Sequence, residues 1–259
     1  MENEIIHVSF DIRSLFLIAL TLFLFGCDRN GPASSNDPQP TVKSLEIVTT
    51  LSLGVSEPSG LAFNHLDSTL YTVSDGNQIL YKIDFNGKIL STTVVNTHDL
   101  EGIALSRNCD TIYVVQEARQ LVTAFRPDGT ELWSFPVKVA TSISSSLEGI
   151  TVDNSGNLVV INEKEPMMVL KFKNNTEIWR KTLAYSLDIS DIWYDLSLNC
   201  FWIISDESRK VLKLTENFDL IAEYSVNVAK GEGITIVGDR IYIVSDSEAK
   251  MYVFKKPTN

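Results

Sequence analysis

Apolar positions in this chain fall in short runs rich in β-branched and aromatic residues, and polar turn residues separate each run from the next. Runs of that kind read as strands. No stretch long enough for a globular helix shows a 3.6-residue apolar period, so the pattern predicts an all-β chain. The runs group into a unit that recurs five times. It opens on Pro58-Ser59-Gly60-Leu61, Leu100-Glu101-Gly102-Ile103, Leu147-Glu148-Gly149-Ile150, Ile189-Ser190-Asp191-Ile192 and Gly231-Glu232-Gly233-Ile234. The third residue falls at 60, 102, 149, 191 and 233, in steps of 42, 47, 42 and 42. Repeats of roughly 40 to 50 residues made only of short strands mark propeller blades.

The second unit shows the order of strands. Gly102 to Leu105 is a first strand, and Ser106 to Asp110 a turn. Thr111 to Val115, Leu121 to Phe125 and Glu131 to Val137 follow as strands two to four, with Pro127-Asp128-Gly129 turning the last hairpin. The fifth unit runs out after its third strand, Met251 to Phe254. Ser44 to Leu53 reads as the missing fourth strand, and pairing it there closes the ring without an open edge. The expectation is a five-bladed β-propeller of four-stranded antiparallel blades over residues 44–259. A six-bladed ring is the alternative, but residues 28–43 are too short to supply another blade.

Residues 1–26 read as a signal peptide whose apolar run, Ser14 to Gly26, ends in a lipobox-like Leu24-Phe25-Gly26-Cys27. Phe25 is large for that motif, and the segment before the run has three acids and one Arg. Cys27 is the expected lipidation (palmitate) site, and residues 27–43 are a polar, Pro-rich tether. Those features predict a lipid-anchored protein of the bacterial envelope facing the periplasm, with Asp28 favouring the inner membrane. An uncleaved anchor and a plain secretory signal are the other readings. Cys109 and Cys200 occupy equivalent turns of non-adjacent units and are expected to be free thiols.

The formal net charge is −11, which argues against a nucleic-acid partner, whose phosphates need clustered Lys and Arg, and permits cations. The acids are periodic. Glu101, Glu148 and Glu232 precede the Gly of the first strand, and Glu57 lies just ahead of Gly60. Asp75, Glu117, Glu163, Asp206 and Asp246 follow the second strand. In an antiparallel hairpin the start of strand one and the end of strand two share an edge, so these nine carboxylates should crowd one face of the ring. Hard cations such as calcium take six to eight oxygens of this kind. Three uses are open: blade turns paired with Arg119, Lys164, Arg209 or Lys250, a metal site, or catalysis. For catalysis the one histidine on that face is His98, while His65 falls in a first turn, on the opposite face.

The repeated Leu-Glu-Gly-Ile, with Glu57-Pro58-Ser59-Gly60-Leu61 and Ser205-Asp206-Glu207-Ser208, resembles the SdiA-regulated, YjiK-like family of bacterial propeller lipoproteins. The likeness covers about residues 44–255 and implies a membrane-attached periplasmic propeller. Glu-Gly-Ile repeats are also similar to phytase-like propellers, which implies calcium and phosphoester hydrolysis. Asp191 departs from that pattern in unit four, and a dense Lys and Arg clamp for polyphosphate is not evident. Two functions follow as expectations. One is a non-enzymatic lipoprotein binding a divalent cation and a ligand or partner protein at the acidic face. The other is a calcium-dependent hydrolase of phosphoesters or lactones.

Overall fold

Twenty-one strands account for the regular structure of the computed structural model, which describes residues 42–139 and 145–258. The signal-peptide, lipobox and Cys27 expectations lie outside those residues. In chain order β1 (Lys43–Ser44) and β2 (Ile47–Ser52) come first. The first blade is β3 (Pro58–Asn64), β4 (Thr69–Ser74), β5 (Ile79–Ile83) and β6 (Ile89–Val94). The second is β7 (Leu100–Leu105), β8 (Ile112–Gln116), β9 (Leu121–Phe125) and β10 (Glu131–Pro136). The third is β11 (Leu147–Val152), β12 (Leu158–Asn162), β13 (Met168–Lys173) and β14 (Thr176–Thr182). The fourth is β15 (Asp191–Asp195), β16 (Cys200–Ser205), β17 (Lys210–Leu214) and β18 (Leu220–Ser225). The fifth is β19 (Gly231–Val237), β20 (Arg240–Ser245) and β21 (Lys250–Lys255), completed by β2. This is a five-bladed propeller of four-stranded antiparallel blades.

Ring closure is as the sequence predicts, with one refinement. The N-terminal run is two strands, not one. β2 pairs antiparallel with β21, while β1 pairs parallel with β18 and makes the fourth blade five-stranded. Leu45 between them is buried in the core shared by blades four and five, which turns the chain inward and breaks the strand. Strand two of the second blade is displaced by one residue from the predicted Thr111–Val115, because Gln116 is buried and pairs with Leu100 and Leu121. Residues 41–259 form a compact unit by themselves.

Hydrophobic clusters lie between successive blades. One, for example, joins Val159, Ile161 and Val169 of the third blade to Ile192, Phe201 and Leu212 of the fourth. Packing of neighbouring sheet faces buries this apolar surface, at about 25 cal/mol per Å² removed from water. Trp202 is fully buried in the cluster between blades four and five, and Trp179 stacks on Phe218 at 5.6 Å. Cys109 and Cys200 are both free and buried, as expected.

In four of the five blades the inner strands approach so closely at the axis that only glycine fits. A Cβ on Gly102 would lie 2.5 Å from the Glu148 carbonyl oxygen, and one on Gly60, whose φ is +61°, 2.7 Å from that of Glu101. In blades one, two, three and five the pairing of strands one and two shifts register at this point. A β-bulge of this kind re-aims a side chain. Here the residue re-aimed is the Ser or Glu that precedes each Gly. The fourth blade has no shift, and its Asp191 fills the axis instead.

Candidate functional site

Five side chains at the position before that Gly or Asp encircle one mouth of the axis: Ser59, Glu101, Glu148, Ser190 and Glu232. They form a hydrogen-bonded series in two places. The Ser59 hydroxyl donates to Glu101 Oε2 at 2.8 Å, and Ser190 bonds the Glu232 carboxylate. Glu148 has carboxylates for neighbours. Outside this circle stand the residues that follow each second strand, held by tight turns such as that in which Arg209 N–H donates to the Asp206 carbonyl at 3.0 Å.

The result is a cavity of about 290 Å³. Glu57, Asp75, Glu101, Glu117, Glu148, Glu163, Glu232 and Asp246 line it, with Ser59, Lys164 and Lys230. Eight of the nine acids predicted to share a face therefore share a cavity. The ninth, Asp206, lies at its edge, 3.8 Å from Lys230 Nζ. Carboxylate oxygens of Asp99, Glu101 and Glu117 come within 4.8 Å of one another, as do those of Glu117, Glu148 and Glu163. Glu117 belongs to both groups.

Eight acids against two ammonium groups leave the cavity short of positive charge. Burial pushes Glu101 up to about 8 against the bond from Ser59, with Asp75, Asp99 and Glu117 adding repulsion. Glu232 is pushed up to about 7 by burial, opposed by Lys230. Glu148 is held well above the carboxylate range by burial and then by Glu101, Glu232, Glu163 and Glu117. Burial also raises Asp75, Glu117, Glu163 and Asp246. Like charges in a desolvated pocket disfavour ionisation unless a cation joins them.

The basic residues expected beside these acids divide. Lys164 bridges Glu163 and Glu207, each at 2.9 Å. Lys250 pairs with Glu248 at 3.1 Å, and Arg119 donates to the Gln116 side chain at 3.2 Å. Lys230, which the sequence reading passed over, sits 4.0 Å from Glu232. Asp99 was passed over too. Both occupy the position three before the axial Gly, which reads Glu57, Asp99, Ser146, Asp188 and Lys230 across the blades. Glu57, Asp99 and Lys230 have positive φ there, a backbone feature that the residue types at this position do not show. His98 is exposed, with Gln78 Nε2 at 2.7 Å from its Nδ1, and it is not among the residues lining the cavity.

Comparison with known proteins places this architecture. Among solved structures, a streptogramin B lyase aligns with a TM-score of 0.50 at 17% identity, covering 81% of this chain and 73% of that one. A catalytically inactive virginiamycin B lyase from Staphylococcus aureus with quinupristin gives 0.51 at 17%, covering 77% and 66%. A nidogen/laminin complex gives 0.58 at 16%, covering 77% and 76%. At such identities the likeness is one of fold. A search of curated proteins finds no match. The SdiA-regulated family profile matches residues 44–255, from Ser44 of β1 to the end of β21, and the chain belongs to that family.

Proposed function

We propose that this protein is an envelope lipoprotein, anchored through acylated Cys27 and facing the periplasm, whose acidic cavity binds a divalent cation and, with it, a ligand or partner protein. Calcium is the favoured ion. The observation that carries this reading is the pair of carboxylate groups sharing Glu117, each with its oxygens within 4.8 Å. Calcium coordinates six to eight oxygens at about 2.3–2.6 Å, and the remaining ligands would come from the neighbouring acids, Ser59 and water. The raised carboxyls supply the driving force, since an ion takes the place of protons that burial forces onto Glu101, Glu148 and Glu232. The role proposed is binding, since the cavity is lined by carboxylates, a serine and two lysines, groups suited to holding a cation.

The experiment is thermal unfolding of residues 41–259 with calcium, with magnesium and with a chelator alone. A ligand at about 100 times its Kd stabilises the native state by about 2.7 kcal/mol. Calcium should raise the midpoint, and Glu101→Gln/Glu148→Gln/Glu232→Gln should remove the rise. No shift with any cation refutes the site.

A calcium-dependent hydrolase is the second reading, favoured by one observation. Glu101 near 8 and Glu232 near 7 lie where a general acid or base is most effective. Turnover of activated esters or phosphodiesters that needs calcium and is lost in Glu101→Gln would decide for it. Inertness across such a panel decides against.

A further inference from the structure

A second cavity, of about 340 Å³, opens on the opposite face, at the far ends of the inner strands of blades one to four. Its chemistry is the inverse of the first. Phe63, Leu105, Val152, Trp193 and Leu196 make an apolar wall, and no acid lines it. Small-molecule pockets run from about 300 to 1,000 Å³ and combine such a wall with a few polar groups. Here those groups are at the mouth: His65, whose Nδ1 is 3.5 Å from Cys109 Sγ, and Arg107. Leu196 is 57% exposed, so one side of the apolar wall is left uncovered.

The charges around this mouth show what it would admit. Each of the four first turns carries an acid; three of them face a lysine, and Asp110 is held by neutral side chains. Asp67 pairs with Lys82, and Asp110 accepts from Ser106 and Thr111. Asp153 accepts the Ser155 and Asn157 amides and faces Lys171 at 3.9 Å, and Asp195 pairs with Lys256. Arg107 also donates only to neutral oxygens: the Asp153 carbonyl at 3.2 Å, and the carbonyl and Oδ1 of Asn154, the latter at 3.0 Å. Those bonds fix the guanidinium across blades two and three without cancelling its charge. A cation that makes no ion pair, at the rim of an apolar cavity, can receive an anion with an apolar body.

We infer that this cavity is a binding site for a compact apolar acid, a ring system or short branched chain carrying one carboxylate or sulfonate, with the body against Trp193 and Leu105 and the acid at Arg107. The site is independent of the acidic cavity and of any cation there.

A matched pair of fluorescent probes tests it. 8-Anilinonaphthalene-1-sulfonate and N-phenyl-1-naphthylamine share one ring system and differ by the sulfonate. Titrated into residues 41–259, the sulfonate should bind one to one and about tenfold more tightly than the neutral probe, the order of one charge-assisted hydrogen bond. Arg107→Gln should erase that preference and leave the neutral probe within about threefold. Leu196→Glu, which sets a negative charge on the uncovered side of the wall and leaves the blade contacts of Arg107 intact, should weaken the sulfonate more than the neutral probe and so remove the preference. Leu105→Trp, which fills the cavity, should weaken both probes by about tenfold or more. Cooperative melting verifies each fold, and if Arg107→Gln fails to melt cooperatively, Leu196→Glu decides. Equal affinity for the two probes, several sulfonates per chain, or indifference to Leu105→Trp overturns the assignment.

Discussion

Asp191 stands where four blades carry glycine, and its surroundings explain how the ring tolerates it. One oxygen accepts the backbone N–H of Ile234 at 2.8 Å and that of Leu61 at 3.3 Å, joining blade four to blades five and one across the axis. The other has no hydrogen-bond partner and sits where a Cβ on Gly149 would meet it at 2.8 Å. Burial holds this carboxyl well above the ordinary range, against the amide bonds from Ile234, Ile192 and Leu61. A group with a raised native pKa keeps its proton while the unfolded chain loses it, so stability drains away as pH rises above the unfolded value of 3.8. Asn has the same shape and does not titrate. Asp191→Asn should therefore unfold at a higher temperature than the parent at pH 8, with the gap closing toward pH 4. Asp191→Gly should be less stable at every pH, losing about 1–3 kcal/mol for each buried amide left unpaired. Denaturant melts at the two pH values read both, and an Asp191→Asn gap that does not change with pH would remove the proton from the account.

The inner strand with its bulge is the element that builds the acidic mouth. Its dipeptide Glu-Gly does two jobs. The Gly lets neighbouring backbones meet, and the shift in register swings the Glu out of the ladder toward the axis. Gly102→Ala places a methyl 2.5 Å from a backbone oxygen that cannot move alone. It should cost about 1–3 kcal/mol, the usual range for overpacking, and calcium-dependent stabilisation should fall with it because Glu101 and Glu148 are displaced together. A variant melting like the parent would show that the blades can spread. Much of this was legible in the chain: the 42-residue step set the blades, and the position before each Gly gave Glu101, Glu148 and Glu232. The break at Leu45 was not, since it depends on a cluster formed by blades four and five, far apart in sequence from it. Nor were Lys230 and Asp99, because their place is set by φ rather than by residue type. The apolar cavity was hidden for a third reason. Its wall is one or two residues from each of four strands, and no single strand shows a pattern that a core-facing strand lacks.

Across the whole molecule the two kinds of acid pull stability in opposite directions along the pH scale. Asp67, Asp84, Asp110, Asp128 and Asp195 are lowered by hydrogen bonds or lysine partners, so what they contribute is present above 3.8 and lost as pH falls below it. The mouth acids do the reverse. With native values of about 8 for Glu101 and about 7 for Glu232 against an ordinary 4.5, the native state holds more protons than the unfolded one between those limits. What these two contribute to stability then falls with rising pH from about 4.5 to about 8. In chelator, residues 41–259 should accordingly be most stable on the acid side of neutrality, between the two sets. Calcium should flatten the descending limb, because an ion replaces the protons there, and binding at pH 7 should release protons into the buffer, measurable as a buffer-dependent heat of binding. Binding heats that are the same in buffers of different ionisation enthalpy would mean that the carboxyls are already ionised before the ion arrives, and that displaced protons play no part in binding.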